Sequence, residues 1–265
     1  MKLGVIGCGK MGSALLGGIL KAKLCAPSDI TVFDAYEPAV EGTVKKFGVK
    51  AAASNSEVVE ASEVILLCVK PQTFDGMLSE ISGTSDRLLI SIAAGVKIDT
   101  IAGKTNNKHR IIRVMPNTPS LVGRGASAIA PGALATPEDI SLADKLLSSV
   151  GYACQVEESN IDAVTALSGS GPAYIFLMIE SMVAAGIAQG LPAEIAHNLA
   201  VETVAGAAEL VKQTGESPSQ LRENVTSPNG TTFAALESFR ESDYSAIVSK
   251  ALDAARDRSI ELGDS

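Results

Sequence analysis

The stretch "KLGVIGCGKMGSALLGGIL", residues 2–20, decides how the first half of this chain folds. Its start, "KLGVI", predicts a short buried strand, and "SALLGGIL" predicts a helix. A Gly-x-Gly-x-x-Gly pattern stands between them, at Gly7, Gly9 and Gly12. In this context the first glycine makes a tight turn, the second lets the backbone approach a pyrophosphate, and the third allows close packing of helix on strand. The stretch therefore predicts a dinucleotide-binding unit, with a glycine-rich packing turn as the alternative.

The turn itself supplies the first group of candidate cofactor-binding residues. The helix that follows it offers free N–H groups at its start, and these attract phosphates. The candidates in the fingerprint are Ile6, Gly7, Cys8, Gly9, Lys10, Met11 and Gly12.

Apolar runs farther along the first half indicate the rest of the sheet. The runs "DITVFDA", "EVILLCV", "LLISIAAGV" and "RIIRVMPNTP" alternate with helix-like segments. Continuous apolar strands separated by helices are typical of a parallel sheet covered on both faces. From about residue 160 the strand signal disappears. We therefore expect an α/β chain with a Rossmann doubly wound parallel sheet over residues 1–157 and an all-helical substrate and dimerisation domain over residues 158–265.

Asp34 bears on the choice of cofactor. It closes the predicted second strand, about twenty residues beyond the fingerprint, where an acid accepts hydrogen bonds from the ribose hydroxyls of NAD and repels the 2′-phosphate of NADP. No Lys or Arg follows before Lys45. The pattern favours NADH over NADPH, and a helix N-cap or turn aspartate is the alternative.

Two later strand exits supply further candidate cofactor contacts. In an open parallel sheet the carboxyl ends of the strands line the ligand crevice. The exits "CVKPQ" and "AAGV", with "MPNTP" after the next strand, should therefore bracket the ribose and nicotinamide, although each alone could be a plain strand exit. The residues concerned are Val69, Lys70, Pro71, Ala93, Ala94 and Gly95.

Composition excludes several classes of protein. The 265 residues carry a formal net charge of -8 and no basic stripe, which argues against nucleic-acid binding. The four cysteines are widely spaced and the two histidines stand far apart, so no metal site is expected, and a reducing, cytoplasmic setting is the default. We expect His109 and His197 to lie on the surface or on helix faces.

The segment "PAYIFLMIESMVAAGIAQGL", residues 172–191, is apolar on all sides. It is nearly long enough to span a bilayer, but Glu180 would then lie near mid-membrane and no positive flank follows. A helix apolar all round is expected to be buried. We therefore expect no membrane span, and a homodimer or higher homo-oligomer in which a second subunit covers this helix.

The loop "TSPNGTT", residues 226–232, predicts an anion-binding helix start. Pro228, Asn229 and Gly230 favour a turn, and Thr231 and Thr232 open the following helix with two added hydroxyl groups. An ordinary capped helix start is the alternative.

Taken together, these blocks resemble the pyrroline-5-carboxylate reductase family over essentially the whole chain. The matching blocks are the early GxGxxG, "VKP", "AAG", "NTP", "IDAVTALSGSGPAY" and "ENVTSPNGTT". Where the family pattern usually has Gly-Gly, this chain has Asn229-Gly230. The resemblance implies NADH- or NADPH-dependent reduction of 1-pyrroline-5-carboxylate to L-proline, the last step of proline biosynthesis, with active sites shared across a dimer.

The resemblance also implies roles for individual residues. Gly230, Thr231 and Thr232 match the loop that holds the substrate carboxylate, and we expect the hydroxyl of Thr232 to lie at the ring nitrogen as the catalytic group. Glu158 matches a position near the substrate. Asn55 and Asn224 match positions near the cofactor.

Two other functions remain open from the sequence. A β-hydroxyacid dehydrogenase of similar plan carries a lysine on the long helix as the base for alcohol oxidation, but residues 159–211 contain no Lys or Arg. A cyclic imine needs no such base, so the missing lysine favours imine reduction. A regulatory dinucleotide-binding scaffold without turnover is the second alternative, and the intact threonine loop counts against it.

Overall fold

Eight short strands form one sheet in the part of the chain that the computed structural model describes, residues 1–263. Each strand is a short run, and those at the centre are apolar and fully buried. The strands are β1 (Leu3–Ile6), β2 (Ile30–Phe33), β3 (Lys50–Ala51), β4 (Val64–Leu67), β5 (Leu88–Ser91), β6 (Arg110–Met115), β7 (Gly125–Pro131) and β8 (Gly151–Gln155).

The strand order is β3-β2-β1-β4-β5-β6-β7-β8. Neighbours are parallel from β3 to β6, β7 runs antiparallel to β6, and β8 is parallel to β7. The order reverses between β1 and β4, which creates a crevice at the carboxyl ends of these two strands. The predicted doubly wound sheet is confirmed, with a reversed pair of strands added at one edge.

Twelve α-helices accompany the sheet within residues 1–263. They are α1 (Lys10–Lys21), α2 (Glu37–Phe47), α3 (Asn55–Ala61), α4 (Pro71–Ile81), α5 (Ile98–Lys104), α6 (Pro137–Ser148), α7 (Ile161–Val164), α8 (Gly171–Ala188), α9 (Ala193–Thr214), α10 (Pro218–Asn224), α11 (Thr231–Glu241) and α12 (Tyr244–Gly263). A 3₁₀ turn at Thr118–Val122, another at Glu158–Asn160 and a π-helical turn at Thr165–Gly169 complete the regular structure that concerns the site.

Side chains of the central strands alternate between two apolar clusters, one on each face of the sheet. Leu3 and Val5 belong to the cluster that α1 and α6 cover, whereas Ile6 belongs to the cluster that α3, α4 and α5 cover. Burial on both faces explains why these strands are continuous apolar runs rather than alternating ones.

The described chain divides into two units. The first unit comprises Met1–Ser170 together with Ala255–Gly263, and the second comprises Gly171–Ala254. Helix α12 begins in the second unit and ends in the first.

Helices α8 and α9 pack against each other in the second unit and leave much apolar surface uncovered. No residue of α8 is buried, and Phe176 and Leu177 are each 63% exposed. On α9, Leu199 is 55% exposed. By length and composition the helical stretch Glu158–Ala188 is long and apolar enough to cross a bilayer, and none of its most apolar window is buried. The protomer therefore presents an extended apolar face.

The expectation that His109 lies on the surface or on a helix face is wrong. It precedes β6 and is only 1% exposed. Its Nδ1 accepts a hydrogen bond from the Arg87 N–H at 3.2 Å, and its Nε2 lies 3.4 Å from Thr84 Oγ1. Since Thr84 donates its own proton to the Ile81 carbonyl, Nε2 carries the imidazole proton. Burial is the main cause that lowers the pKa of His109 below its ordinary value of 6.5.

Candidate active site

The fingerprint turn has the geometry that its three glycines predict. Gly7 has φ +103°, and a Cβ there would lie 2.6 Å from the carbonyl carbon of Cys68 at the end of β4. A Cβ on Gly12 would lie 2.1 Å from the Gly7 carbonyl oxygen. By contrast, a Cβ on Gly9 would meet nothing within 4 Å. The turn is therefore closed towards the protein and open only at Gly9, which suits a phosphate brought close to the backbone.

Asp34 follows β2 directly and links that strand to the fingerprint. Its Oδ2 accepts the Cys8 N–H at 2.7 Å, and its Oδ1 accepts the Tyr36 N–H at 2.9 Å. The second contact is an Asx turn ahead of α2, so the turn-aspartate alternative describes part of its role. An ionised carboxylate accepts about four hydrogen bonds, so these two contacts leave capacity for ribose hydroxyls.

A cavity of about 220 Å³ lies at the carboxyl ends of neighbouring strands. Residues from the exits of β4, β5 and β6 line it together with Met11 of α1. They include Val69, Lys70, Pro71, Ala93, Ala94, Met115 and Pro116. The structure thus brings together most of the strand-exit residues singled out from the sequence, at the crevice where open α/β sheets bind ligands.

A larger groove of about 750 Å³ starts at the same fingerprint and follows the outer side of α1. Its lining includes Gly9, Lys10, Ser13, Lys46 and Leu121. Of the two, the smaller cavity is the one lined by residues from the carboxyl ends of β4, β5 and β6. The larger groove reaches the fingerprint at Gly9 and Lys10, whereas the smaller cavity reaches it at Met11.

The two thiols beside the fingerprint are protonated at neutral pH. Burial raises the pKa of Cys8 to about 11, with the nearby Asp34 carboxylate as a further cause. Burial raises the pKa of Cys68 to about 12. Neither is poised as a nucleophile, because the thiolate is the reactive form.

Asn55 and Glu158 lie in the first unit with partners of their own. Asn55, the first residue of α3, is 8% exposed and donates its Nδ2 to Glu80 at 2.8 Å. Glu158 Oε1 accepts both the Ile98 N–H at 2.8 Å and Arg113 Nη1 at 3.1 Å. Glu158 therefore ties the start of α5 to the middle of β6.

Arg113 is a site residue that the sequence analysis missed. Its side chain is 4% exposed, against 32% for Glu158, so the pair is largely shielded from water. The sequence did contain a signal for this pair: Arg113 is a charged residue within the apolar run "RIIRVM", and an arginine on a buried strand requires a partner.

Asn117 lies in the exit of β6, "MPNTP", which the sequence predicts to flank the cofactor, but its own contacts were not predicted. Its Nδ2 donates to the Ser168 carbonyl at 3.0 Å, and its Oδ1 accepts the Ala126 N–H at 2.8 Å. Ser168 belongs to the π-helical turn, where Ser170 N–H bonds five residues back to the Thr165 carbonyl. Such turns often occur at functional sites. Asn117 thus joins the "NTP" exit to the "LSGSG" segment.

The threonine loop of the second unit is a helix start without a side-chain cap. Asn229 has φ +56°, as its turn chemistry predicts, and α11 begins at Thr231 after the N-cap Gly230. No side chain caps this start, whereas Ser217 caps α10 through the Gln220 N–H. The first N–H groups of α11 therefore stay available to an anion.

Asn224, also in the second unit, is exposed at the end of α10. Its Oδ1 accepts from Gln220 at 3.0 Å, and its Nδ2 donates to Glu216 at 3.2 Å.

Among residues 1–263 no group of three or more His, Cys, Asp or Glu side chains is arranged to hold a metal ion.

Two family models match this chain in tandem. The model described as NADP oxidoreductase, coenzyme F420-dependent, matches residues 2–95, and the model described as pyrroline-5-carboxylate reductase dimerisation matches residues 158–262. The pyrroline-5-carboxylate reductase of Methanosarcina acetivorans is 44% identical over 99% of this chain and 98% of its own. That of Escherichia coli K12 is 38% identical over 100% and 99%.

Solved structures are similar to this chain along its whole length. The Coxiella burnetii pyrroline-5-carboxylate reductase superposes with a TM-score of 0.93 at 34% identity, covering 98% of both chains. The Plasmodium falciparum pyrroline carboxylate reductase with NADP bound gives 0.89 at 32% identity, covering 99% of this chain and 98% of that one. The fold and the fingerprint define an NAD(P)-dependent oxidoreductase with a dimerisation domain. Within that class, the chain belongs to the pyrroline-5-carboxylate reductase family.

Proposed function

We propose that this chain reduces the cyclic imine 1-pyrroline-5-carboxylate to L-proline, as the last step of proline biosynthesis, with NADH or NADPH. The observation that carries the choice of an imine over an alcohol is the lack of any Lys or Arg in residues 159–211, which include all of α8 and most of α9. Oxidation of an alcohol needs a base at that helix, whereas a protonated imine accepts hydride directly.

The residues of the first unit fit a dinucleotide. The pyrophosphate would lie over Gly9 at the start of α1, with Ile6, Gly7, Cys8, Lys10, Met11 and Gly12 around it. Asp34 would meet the adenosine ribose. The exits Val69–Pro71 and Ala93–Gly95 would flank the nicotinamide end, and Asn55 is a further proposed contact. Asn224, which belongs to the second unit, is also proposed to contact the cofactor. When bound, the nicotinamide supplies a hydride to the imine carbon.

Asp34 supports a preference for NADH. Its carboxylate is held at the fingerprint by the Cys8 N–H, and a fixed negative charge there disfavours a 2′-phosphate. NADP in the Plasmodium falciparum structure is a property of that protein.

The loop Gly230–Thr232 would hold the substrate. The uncapped N–H groups at the start of α11 suit the substrate carboxylate, and the Thr232 hydroxyl suits the ring nitrogen. At the nitrogen this hydroxyl stabilises the protonated imine and keeps the ring oriented while the C=N bond becomes a C–N bond. Glu158 would lie near the substrate, held in place by Arg113.

We also propose the assembly and setting. The dimerisation model that starts at residue 158 supports a functional division into residues 1–157 and 158–265 and at least a homodimer. The exposed apolar face of α8 and α9 supports coverage by a second subunit rather than by lipid. A cytoplasmic setting and no nucleic-acid partner fit the unpaired cysteines and the net charge of -8.

The decisive experiment follows oxidation of NADH or NADPH at 340 nm with 1-pyrroline-5-carboxylate as substrate. We expect turnover and proline formation. Reduction of NAD or NADP by 3-hydroxy acids, without imine turnover, would instead support the β-hydroxyacid dehydrogenase. Tight dinucleotide binding with no turnover of either substrate would identify a regulatory scaffold.

A further inference from the structure

The last turns of α12 return to the first unit. Residues Ala255–Gly263 belong to the same unit as the sheet, whereas the preceding turns of the helix belong to the second unit. Within α12, Ser259 is the one residue that is buried, with 6% of its surface exposed. A polar residue at the only buried position of a helix points to a specific partner.

That partner is Asp162 on α7. Ser259 Oγ donates to Asp162 Oδ1 at 2.6 Å, across 97 residues of sequence. One turn later the backbone of α12 meets the exit of β5, because a Cβ built on Gly95 would lie 3.1 Å from the Leu262 carbonyl oxygen. Gly95 has φ +76°, which only glycine adopts without strain. The end of α12 and the β5 exit are therefore fitted closely together.

Glu158 makes a second contact with the same segment. Glu158 accepts the Ile98 N–H, three residues beyond Gly95, and lies one turn before Asp162. Three stretches therefore close a ring of contacts: the β5 exit from Ala93 to Ile98, the turn from Glu158 to Asp162, and the end of α12 from Ser259 to Gly263. We call this ring the exit clamp.

We propose that Ser259 and Asp162 are positioning residues for the dinucleotide, acting through the exit clamp on Ala93–Gly95. This inference rests on the proposed role of Ala93–Gly95 in cofactor binding. A loop already held in its binding conformation does not have to be ordered when the ligand arrives, so its affinity is higher. Neither Ser259 nor Asp162 is assigned to the imine. Glu158, the member of the exit clamp proposed to lie near the substrate, has its own contacts with Ile98 and Arg113. A change at Ser259 should therefore alter dinucleotide affinity and leave the chemical step unchanged.

The test compares Ser259→Ala, Asp162→Asn and the double variant with wild type. Dinucleotide dissociation constants are read from the fluorescence of bound NADH, independently of any imine substrate. We expect Ser259→Ala to raise both this constant and KM for NADH by about three- to tenfold, with kcat changed by less than about twofold, since one charge-assisted hydrogen bond is lost. The double variant should bind NADH as tightly as Ser259→Ala does, because Ser259→Ala already removes the hydrogen bond that Asp162→Asn only weakens.

Two further variants separate positioning from general stability. Ser259→Thr keeps the hydroxyl and should bind NADH within about twofold of wild type. Ser249→Ala, at an exposed serine of the same helix, should leave binding and kinetics unchanged.

The proposal is overturned if Ser259→Ala binds NADH as wild type does, or if its kcat falls while KM stays constant. A fall in melting temperature with unchanged NADH binding would also overturn it, since that identifies a purely structural contact. If wild type itself binds no dinucleotide, the proposed cofactor site fails, and this result is distinct from failure of the exit clamp alone.

Discussion

Replacing Asp34 by serine should shift the cofactor preference from NADH towards NADPH, and elementary electrostatics gives the size of the change. The 2′-phosphate carries about 1.5 to 2 negative charges, so at about 4 Å its repulsion by the carboxylate is roughly 1.5 to 8 kcal/mol, depending on solvent access. Asp34→Ser removes that repulsion for NADPH. It also removes for NADH at least one charge-assisted hydrogen bond to ribose, about 1.5 kcal/mol. Even the lower limits together predict at least a ~100-fold change in the ratio of kcat/KM for NADH over NADPH.

The same substitution has a cost in stability. Two backbone N–H groups, those of Cys8 and Tyr36, lose their carboxylate acceptor. Because the site is only partly buried, we expect a loss of about 2 kcal/mol in the free energy of unfolding, which lowers Tm by roughly 4 to 8 °C. Asp34→Asn keeps the shape of the side chain and should lose less stability while shifting the cofactor ratio in the same direction.

The assay measures initial rates at 340 nm with 1-pyrroline-5-carboxylate and each dinucleotide in turn. Glu37→Gln, at an exposed position three residues away, is the control and should leave the ratio within about twofold, because an exposed charge there is screened by solvent. A wild type that already prefers NADPH by about tenfold, a gap of only ~1.4 kcal/mol, would refute the reasoning about Asp34.

Four further predictions test other parts of the molecule. Thr232→Ala should lower turnover by about ten- to a hundredfold with NADH binding intact, and Thr232→Ser should recover most of it, since about 1.5 to 3 kcal/mol of hydrogen bonding to the iminium is at stake. Equal rates for wild type and both variants would show that the Thr232 hydroxyl has no part in catalysis. Sedimentation at micromolar concentration should show a dimer or larger, because α8 exposes apolar side chains all round, and an active monomer would contradict this. Below pH ~6.5 stability should fall as pH falls, because the unfolded chain protonates His109 before the folded one does. His109 should contribute at most about 1.4 kcal/mol per pH unit to the slope of unfolding free energy against pH, and urea titrations of His109→Gln should lack this contribution. An identical slope in wild type and variant would show that His109 is not its source. Native Cys8 should resist iodoacetamide at pH 8, because a thiol with a pKa of about 11 is about 0.1% thiolate there, and alkylation as fast as in urea would contradict the burial effect.

Local signals in the sequence predicted the parts of the fold that local chemistry controls. The fingerprint at Gly7–Gly12, the close of β2 before Asp34 and the capped start of α10 at Ser217 each depend on residues within a few positions of one another. The turn at Asn229 was predictable for the same reason, because asparagine tolerates the left-handed conformation that it adopts there.

Features that depend on distant residues were not predictable. The reversed strand β7 has the sequence "GASAIAP", whose small residues give a weak strand signal and no sign of direction. His109 was placed on the surface because nothing near it in sequence shows that Arg87 and Thr84 surround its ring. Likewise, Arg113 lies 45 residues from its partner Glu158 in the sequence. Asp162 lies 97 residues from its partner Ser259.

The uncovered face of α8 and α9 also bears on what a measurement of stability would mean for this protein. If a second copy covers that face only in the folded state, unfolding releases two chains and the midpoint follows the law of mass action. Each tenfold dilution would then lower the apparent free energy of unfolding by about 1.4 kcal/mol per mole of dimer, so midpoints are comparable only at equal protein concentration.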